Sequence, residues 1–137
     1  MNISSRCDYA CRAIVELAHY SPKDIPLTAN AIATKRNIPE KYLVHILLQL
    51  KKAGMLLSVR GAQGGYRLAK KASDITLLDV VLAVDGSIMD PVPCDDESSP
   101  ELKHTWEEMG TKITDALQSV TIQSILDNSP SADMYFI

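Results

Sequence analysis

One stretch decides how this chain is read: Ile38-Pro39-Glu40-Lys41-Tyr42-Leu43-Val44-His45-Ile46-Leu47-Leu48-Gln49-Leu50-Lys51-Lys52-Ala53-Gly54, followed by Met55-Leu56-Leu57-Ser58-Val59-Arg60-Gly61-Ala62-Gln63-Gly64-Gly65-Tyr66. In its first half Leu43, Ile46, Leu47 and Leu50 recur at helical spacing. They form the inward stripe of a helix that opens after Pro39 and stops at Gly54. Lys41, His45, Lys51 and Lys52 fall on the opposite, outward side. Beyond Gly54 the period changes. Residues 55–60 and 65–69 read as short extended runs around Gly61-Ala62-Gln63-Gly64-Gly65, whose glycines permit positive φ. A hairpin placed directly after a helix is a wing. A nucleotide-phosphate cradle needs a helix behind its glycines, and a β-type run follows here instead.

Upstream, Thr28 suits an N-cap for a helix over 29–36, closed by Asn37. The two helices joined by about three residues, the second cationic outside, make a helix-turn-helix. Ile3, Cys7, Ala10, Ile14, Leu17 and Ala18 predict an amphipathic helix over residues 3–20, stopped by Ser21-Pro22. Downstream, Thr76 caps a short helix over 77–84 that Asp85-Gly86 ends. Residues 87–100 hold three prolines and four acids without periodicity and read as a loop. A long helix then carries Leu102, Trp106, Met109, Ile113, Leu117 and Val120. That stripe needs a surface to cover it: the same helix of a second subunit in an isologous dimer, or the first helix of its own chain. Residues 121–126 predict a last short helix, and the remainder is a tail in which Met134-Tyr135-Phe136-Ile137 is apolar enough to dock.

The expected organisation is therefore mainly α with a small β wing. A winged helix-turn-helix domain spans 1–86 and its first helix also serves a dimer; a loop and sensor segment spans 87–100, dimerisation and short helices span 101–126, and a tail spans 127–137. The 137 residues, 46% apolar and 23% charged, suit one compact domain with an appendage and exclude collagen-like or disordered chains. The most apolar run, 77–84, is broken by Asp79 and is far short of the ~20 residues of a membrane span. No export signal is visible at the start, so a cytoplasmic protein without membrane contact is expected. The net charge of -3 conceals a division: residues 1–75 carry +7 and residues 76–137 carry -10. The basic half suits a polyanion.

Several strings together resemble a known group: Ile3-Ser4-Ser5-Arg6 with Asp8-Tyr9-Ala10, Ile38-Pro39-Glu40-Lys41-Tyr42-Leu43, Leu50-Lys51-Lys52-Ala53-Gly54-Met55, and above all the wing, Ser58 to Tyr66. From residue 1 to about 126 the chain resembles the Rrf-two family of bacterial winged helix-turn-helix transcriptional regulators. The resemblance implies a homodimer, crossed over through the long helix, that binds a pseudo-palindromic operator in double-stranded DNA. It also implies a signal drawn from redox, iron-sulfur or metabolic status, with a repressor as the expected sign.

The candidate DNA contacts are Thr28, Lys41, Tyr42, His45, Lys51, Arg60, Gly61, Gln63 and Gly64. Lys41, Tyr42 and His45 lie where a helix entering the major groove meets base edges or phosphates. Arg60 suits a narrow minor groove, and Gly61 and Gly64 let the backbone approach phosphates. Lys35, Arg36, Lys51 and Arg67 are expected on phosphates, with a solvated surface charge equally open for Lys35 and Arg36. Iron-sulfur members often carry Glu-Gln where this chain has Val44-His45. Valine packs on a thymine methyl but accepts no hydrogen bond from cytosine, so a changed base preference is expected.

Cluster-binding relatives usually hold three cysteines in the loop before the long helix; here that loop has Cys94 alone. Asp8 falls where some members place a carboxylate ligand, beside Cys7 and Cys11. Three readings stay open. One is a mixed-ligand iron-sulfur or zinc site from Cys7, Asp8, Cys11, Cys94 and His104; another is a thiol switch centred on Cys94; the last has no small cofactor. The thiols on the first helix also suit ordinary packing, and Asp8 also suits an ion pair with Arg12. A winged-helix module that binds only protein is the alternative to a DNA-binding regulator, and the basic half argues against it. Enzyme chemistry from Cys94 and His104 lacks an orienting group and an oxyanion element, so none is expected.

Overall fold

A computed structural model describes residues 2–89 and 96–130. The first helix, α1 (Ser5–Tyr20), opens where the Ser4 hydroxyl accepts from the Cys7 amide at 3.0 Å. It therefore starts two residues later than the apolar stripe suggests, and Ile3 is exposed. A serine that caps ends the helix regardless of an apolar neighbour beyond it. Ala10, Ala13, Ile14 and Leu17 lie buried on the inner face of α1.

Thr28 caps α2 (Ala29–Arg36) by accepting from the Ala31 amide at 3.1 Å, and Asn37 closes it at φ 55°. Asparagine tolerates that left-handed turn. Next, α3 (Glu40–Lys52) buries Leu43, Ile46, Leu47 and Leu50, as its periodicity predicts. β1 (Leu56–Val59) and β2 (Gly65–Leu68) pair antiparallel, Leu56 opposite Leu68 and Val59 opposite Gly65. A capping box between Thr76 and Asp79 opens α4 (Leu77–Asp85). Two helices follow, α5 (Pro100–Gln118) and α6 (Ile122–Asp127).

Two long-range ties shape the molecule. Leu27, just before α2, exchanges both backbone hydrogen bonds with Tyr66 of β2, at 2.9 and 2.7 Å. This pairing runs so close to Gly65 that a Cβ there would meet the Leu27 carbonyl oxygen at 2.4 Å, and Gly65 sits at φ +150°. Only glycine fits both conditions. Secondly, α6 returns to the winged body: Leu77 donates to the Val120 carbonyl and Ile122 to that of Ile75, and the Ile122 side chain is fully buried. The apolar stripe of the long helix thus ends at Leu117. Val120 lies beyond the last turn of α5, in the link to α6, because the capping box at Thr121 starts a new helix at Ile122.

The helix α5 stands apart in character. None of its 19 residues is buried, and Leu102, Trp106 and Met109 are 47%, 37% and 41% exposed. Among the described residues no helix is long and apolar enough to cross a membrane.

Candidate nucleic-acid interface

The outward side of α3 follows from its inward one. With Leu43, Ile46, Leu47 and Leu50 fixed in the core, the 3.6-residue repeat turns Lys41, Tyr42, Val44, His45 and Leu48 to solvent. Arg60, Gly61 and Gln63 are exposed at the tip of the wing. Lys51 bridges the two elements, donating to the Ser58 hydroxyl of β1 at 2.8 Å and keeping further protons for another acceptor. Thr28 is exposed at the start of α2; its oxygen accepts from Ala31, which leaves its hydroxyl hydrogen to donate. Lys41, Lys52 and Arg60 make no ion pair among the described residues. The glycines of the wing divide their tasks. Gly61 holds φ +104° in open space, whereas a Cβ at Gly64 would lie 2.2 Å from the Val59 carbonyl oxygen, inside the turn.

Two cations expected on phosphates are engaged within the protein. Arg36 binds Glu16, only 4% exposed, through Nε at 2.9 Å, and Arg67 pairs with Asp24. Both acids are distant in sequence, so a charge pattern alone does not show the pairing. Arg12 latches the elbow between α2 and α3: its guanidinium donates to the Arg36 and Asn37 carbonyls at 3.2 and 3.4 Å and pairs with Asp8 at 2.7 Å. The sequence reading also missed a cleft of about 760 Å³ between α1 and α3. Arg6 and Tyr9 line one wall, and Tyr42, His45, Gln49 and Lys52 the other. Arg6 thereby extends the basic face of α3. Its signal in the sequence was its place off the apolar stripe of α1; the proximity of α3 is tertiary.

Of the candidate metal ligands, Cys7, Asp8 and Cys11 lie together on α1, His104 lies on α5, and Cys94 falls outside the described residues. Cys7 and Cys11 sit one turn apart on α1, Cys7 buried and Cys11 half-buried. The Cys11 thiol, hydrogen-bonded to Cys7, lowers the pKa of Cys7; the same contact and then burial push that of Cys11 far up. Asp8 is held by Arg12, and His104 lies exposed on α5 beside Glu108 at 3.0 Å. No group of three His, Cys, Asp or Glu side chains able to hold a metal occurs among the described residues, and Cys94 lies outside them.

A helix-turn-helix latched to a basic-tipped hairpin, with a cationic helix face presented outward, defines a winged helix-turn-helix DNA-binding regulator. Comparison with known proteins places it more narrowly. The family model Rrf2, described as an iron-dependent transcriptional regulator, matches residues 3–128, and the chain belongs to this family. It is 33% identical to the transcriptional regulator IscR of Vibrio vulnificus over 135 residues, covering 94% of this chain and 79% of that one. An rrf2-like regulator of Rhodobacter capsulatus is also 33% identical, over 90% of this chain and 91% of its own length. Among solved structures, IscR of T. potens superposes with a TM-score of 0.81 at 32% identity, covering 96% of this chain and 90% of that chain. CymR of B. subtilis, the global cysteine regulator of that organism, gives 0.84 at 27% identity, with 94% of this chain and 98% of that chain covered. These relatives are transcriptional regulators rather than enzymes.

Proposed function

We propose that the chain acts as a homodimer joined through α5 and binds a pseudo-palindromic operator, one half-site per winged body. The observation that carries this reading is α5 itself. A helix of 19 residues, ~28 Å long, with an apolar face and no buried residue, is unfinished in one chain. A second copy covers the face with its own, and the resulting two-fold axis is matched by two-fold symmetry in the DNA. Within each half-site Lys41, Tyr42 and His45 read the major groove and Arg60 the minor groove. Lys51, Thr28 and the wing backbone at Gly61, Gln63 and Gly64 bind phosphates, and Arg6 adds to them from across the cleft. Val44, exposed beside His45, sets the base preference. Where the operator overlaps a promoter, the bound dimer excludes polymerase, so repression is the expected sign.

An iron-sulfur cluster takes four protein ligands. Among the described residues Cys7, Asp8 and Cys11 lie together on α1, Asp8 in an exposed ion pair with Arg12, and a cluster would need further ligands from Cys94 and the partner subunit. The test is sequencing of DNA selected by the purified protein, combined with its mass in solution. Enriched inverted repeats and a dimer are expected. A monomer, or a single unrepeated half-site, overturns the reading.

A further inference from the structure

Resting on the duplex-binding reading above, we infer that Val44 and Leu48 form a reader of pyrimidine 5-methyl groups in the major groove, each side chain seated on the methyl of a different base. The two residues are 41% and 44% exposed on α3, and their separation of four positions sets them side by side. A single exposed aliphatic residue says little. These two belong to a stripe, Lys41-Val44-Leu48-Lys52, whose helical spacing puts all four on one face. Both lysines are exposed and make no ion pair among the described residues. A cation at each end with an apolar pair between is complementary to a groove that has phosphates on its rims and base edges on its floor. From Lys41 to Lys52 the helix rises ~16 Å, against a major groove ~12 Å wide.

The chemistry of the floor selects the base. Neither side chain donates or accepts a hydrogen bond, so a guanine O6, an adenine N6 or a cytosine N4 pressed against one loses its water without replacement. Thymine alone among the four bases presents a carbon there, its C5 methyl. One helical turn is ~5.4 Å and one base step ~3.4 Å, which places the two methyls on bases one or two steps apart. Tyr42 and His45, exposed beside the pair, keep the polar readout. 5-Methylcytosine carries its methyl at the same ring carbon, so cytosine methylation at these positions should strengthen binding.

The test uses the full chain and a duplex obtained by selection, in which each thymine is replaced in turn by deoxyuridine, a base that lacks only the methyl. Fluorescence anisotropy at fixed salt reads the affinity. Two positions per half-site should each lose about fourfold, the worth of one buried methyl. Leu48→Ala should erase the loss at one position and Val44→Ala at the other, with the fold of both variants intact by circular dichroism because the side chains are exposed. A C·G pair placed at either position should bind about fourfold more tightly with 5-methylcytosine than with cytosine. Equal affinity for every deoxyuridine duplex overturns the inference while the proposed function stands. So does an alanine loss that is the same for thymine and deoxyuridine, which would seat the side chains on the sugar-phosphate backbone. Failure to bind any duplex overturns both.

Discussion

Two amphipathic helices of this chain, α3 and α5, meet opposite fates. Each carries an apolar stripe at helical spacing, yet α3 buries four large side chains and α5 buries none of its nineteen residues. Around α3 the neighbours come from the same chain, with Ile14, Ile32, Leu56 and Ile75 all fully or almost fully buried. Around α5 the same chain, with Ile88 and Met89 beside Trp106 and Gly110, covers the apolar face only in part. An apolar stripe thus states that a face must be covered without stating by what.

The sharpest way to break that contrast is Leu47→Ala. It should cost ~2–5 kcal/mol of unfolding free energy, from lost burial and the cavity left behind. The part lost within the winged body should not depend on protein concentration, as chemical denaturation at several concentrations will show; a loss confined to dilute samples would place Leu47 at an interface. Next comes Trp106→Asp on α5, with an expected cost of ~2–4 kcal/mol to self-association, or at least ~30-fold in the dimer constant. Sedimentation equilibrium reads this directly, and the helical signal of the winged body should stay. An unchanged mass would mean that α5 is covered in some other way.

Gly65→Ala sharpens the comparison within the winged body. With the Leu27 carbonyl in the way and φ positive, we expect a loss of ~1–3 kcal/mol in stability and a matching fall in melting temperature. A smaller effect belongs to the surface: Arg60→Ala should lower operator affinity by roughly tenfold while leaving the melting temperature in place. Equal affinity for operator and mutated operator in this variant would mark Arg60 as a reader of sequence, whereas a uniform loss would mark it as a phosphate contact.

Much of this was legible in the sequence. The helix pair, the wing and the caps at Thr28 and Thr76 are local, and local rules of spacing and capping place them within a residue or two. What the sequence withheld was set by long-range partners. Arg36 and Arg67 read as free cations until Glu16 and Asp24 are folded beside them. The role of Gly65 depends on Leu27, thirty-eight positions away, and that of Arg6 on a helix four tens of residues downstream. Val120 shows the opposite failure. Its spacing continued the stripe of α5, but the Thr121 capping box, a local signal, had already ended it.

The pairing of Leu27 with Tyr66 has a kinematic consequence. Thr28, at the mouth of α2, follows Leu27 directly, while Tyr66 belongs to β2, so the hairpin and the helix pair are riveted into one reading head. Two backbone hydrogen bonds thus couple any shift of the wing to the start of α2. In the proposed dimer the freedom that remains is that of calipers, the separation and angle of two rigid jaws. A signal working through it changes which half-site spacing fits, and leaves the grip on a single half-site as it was.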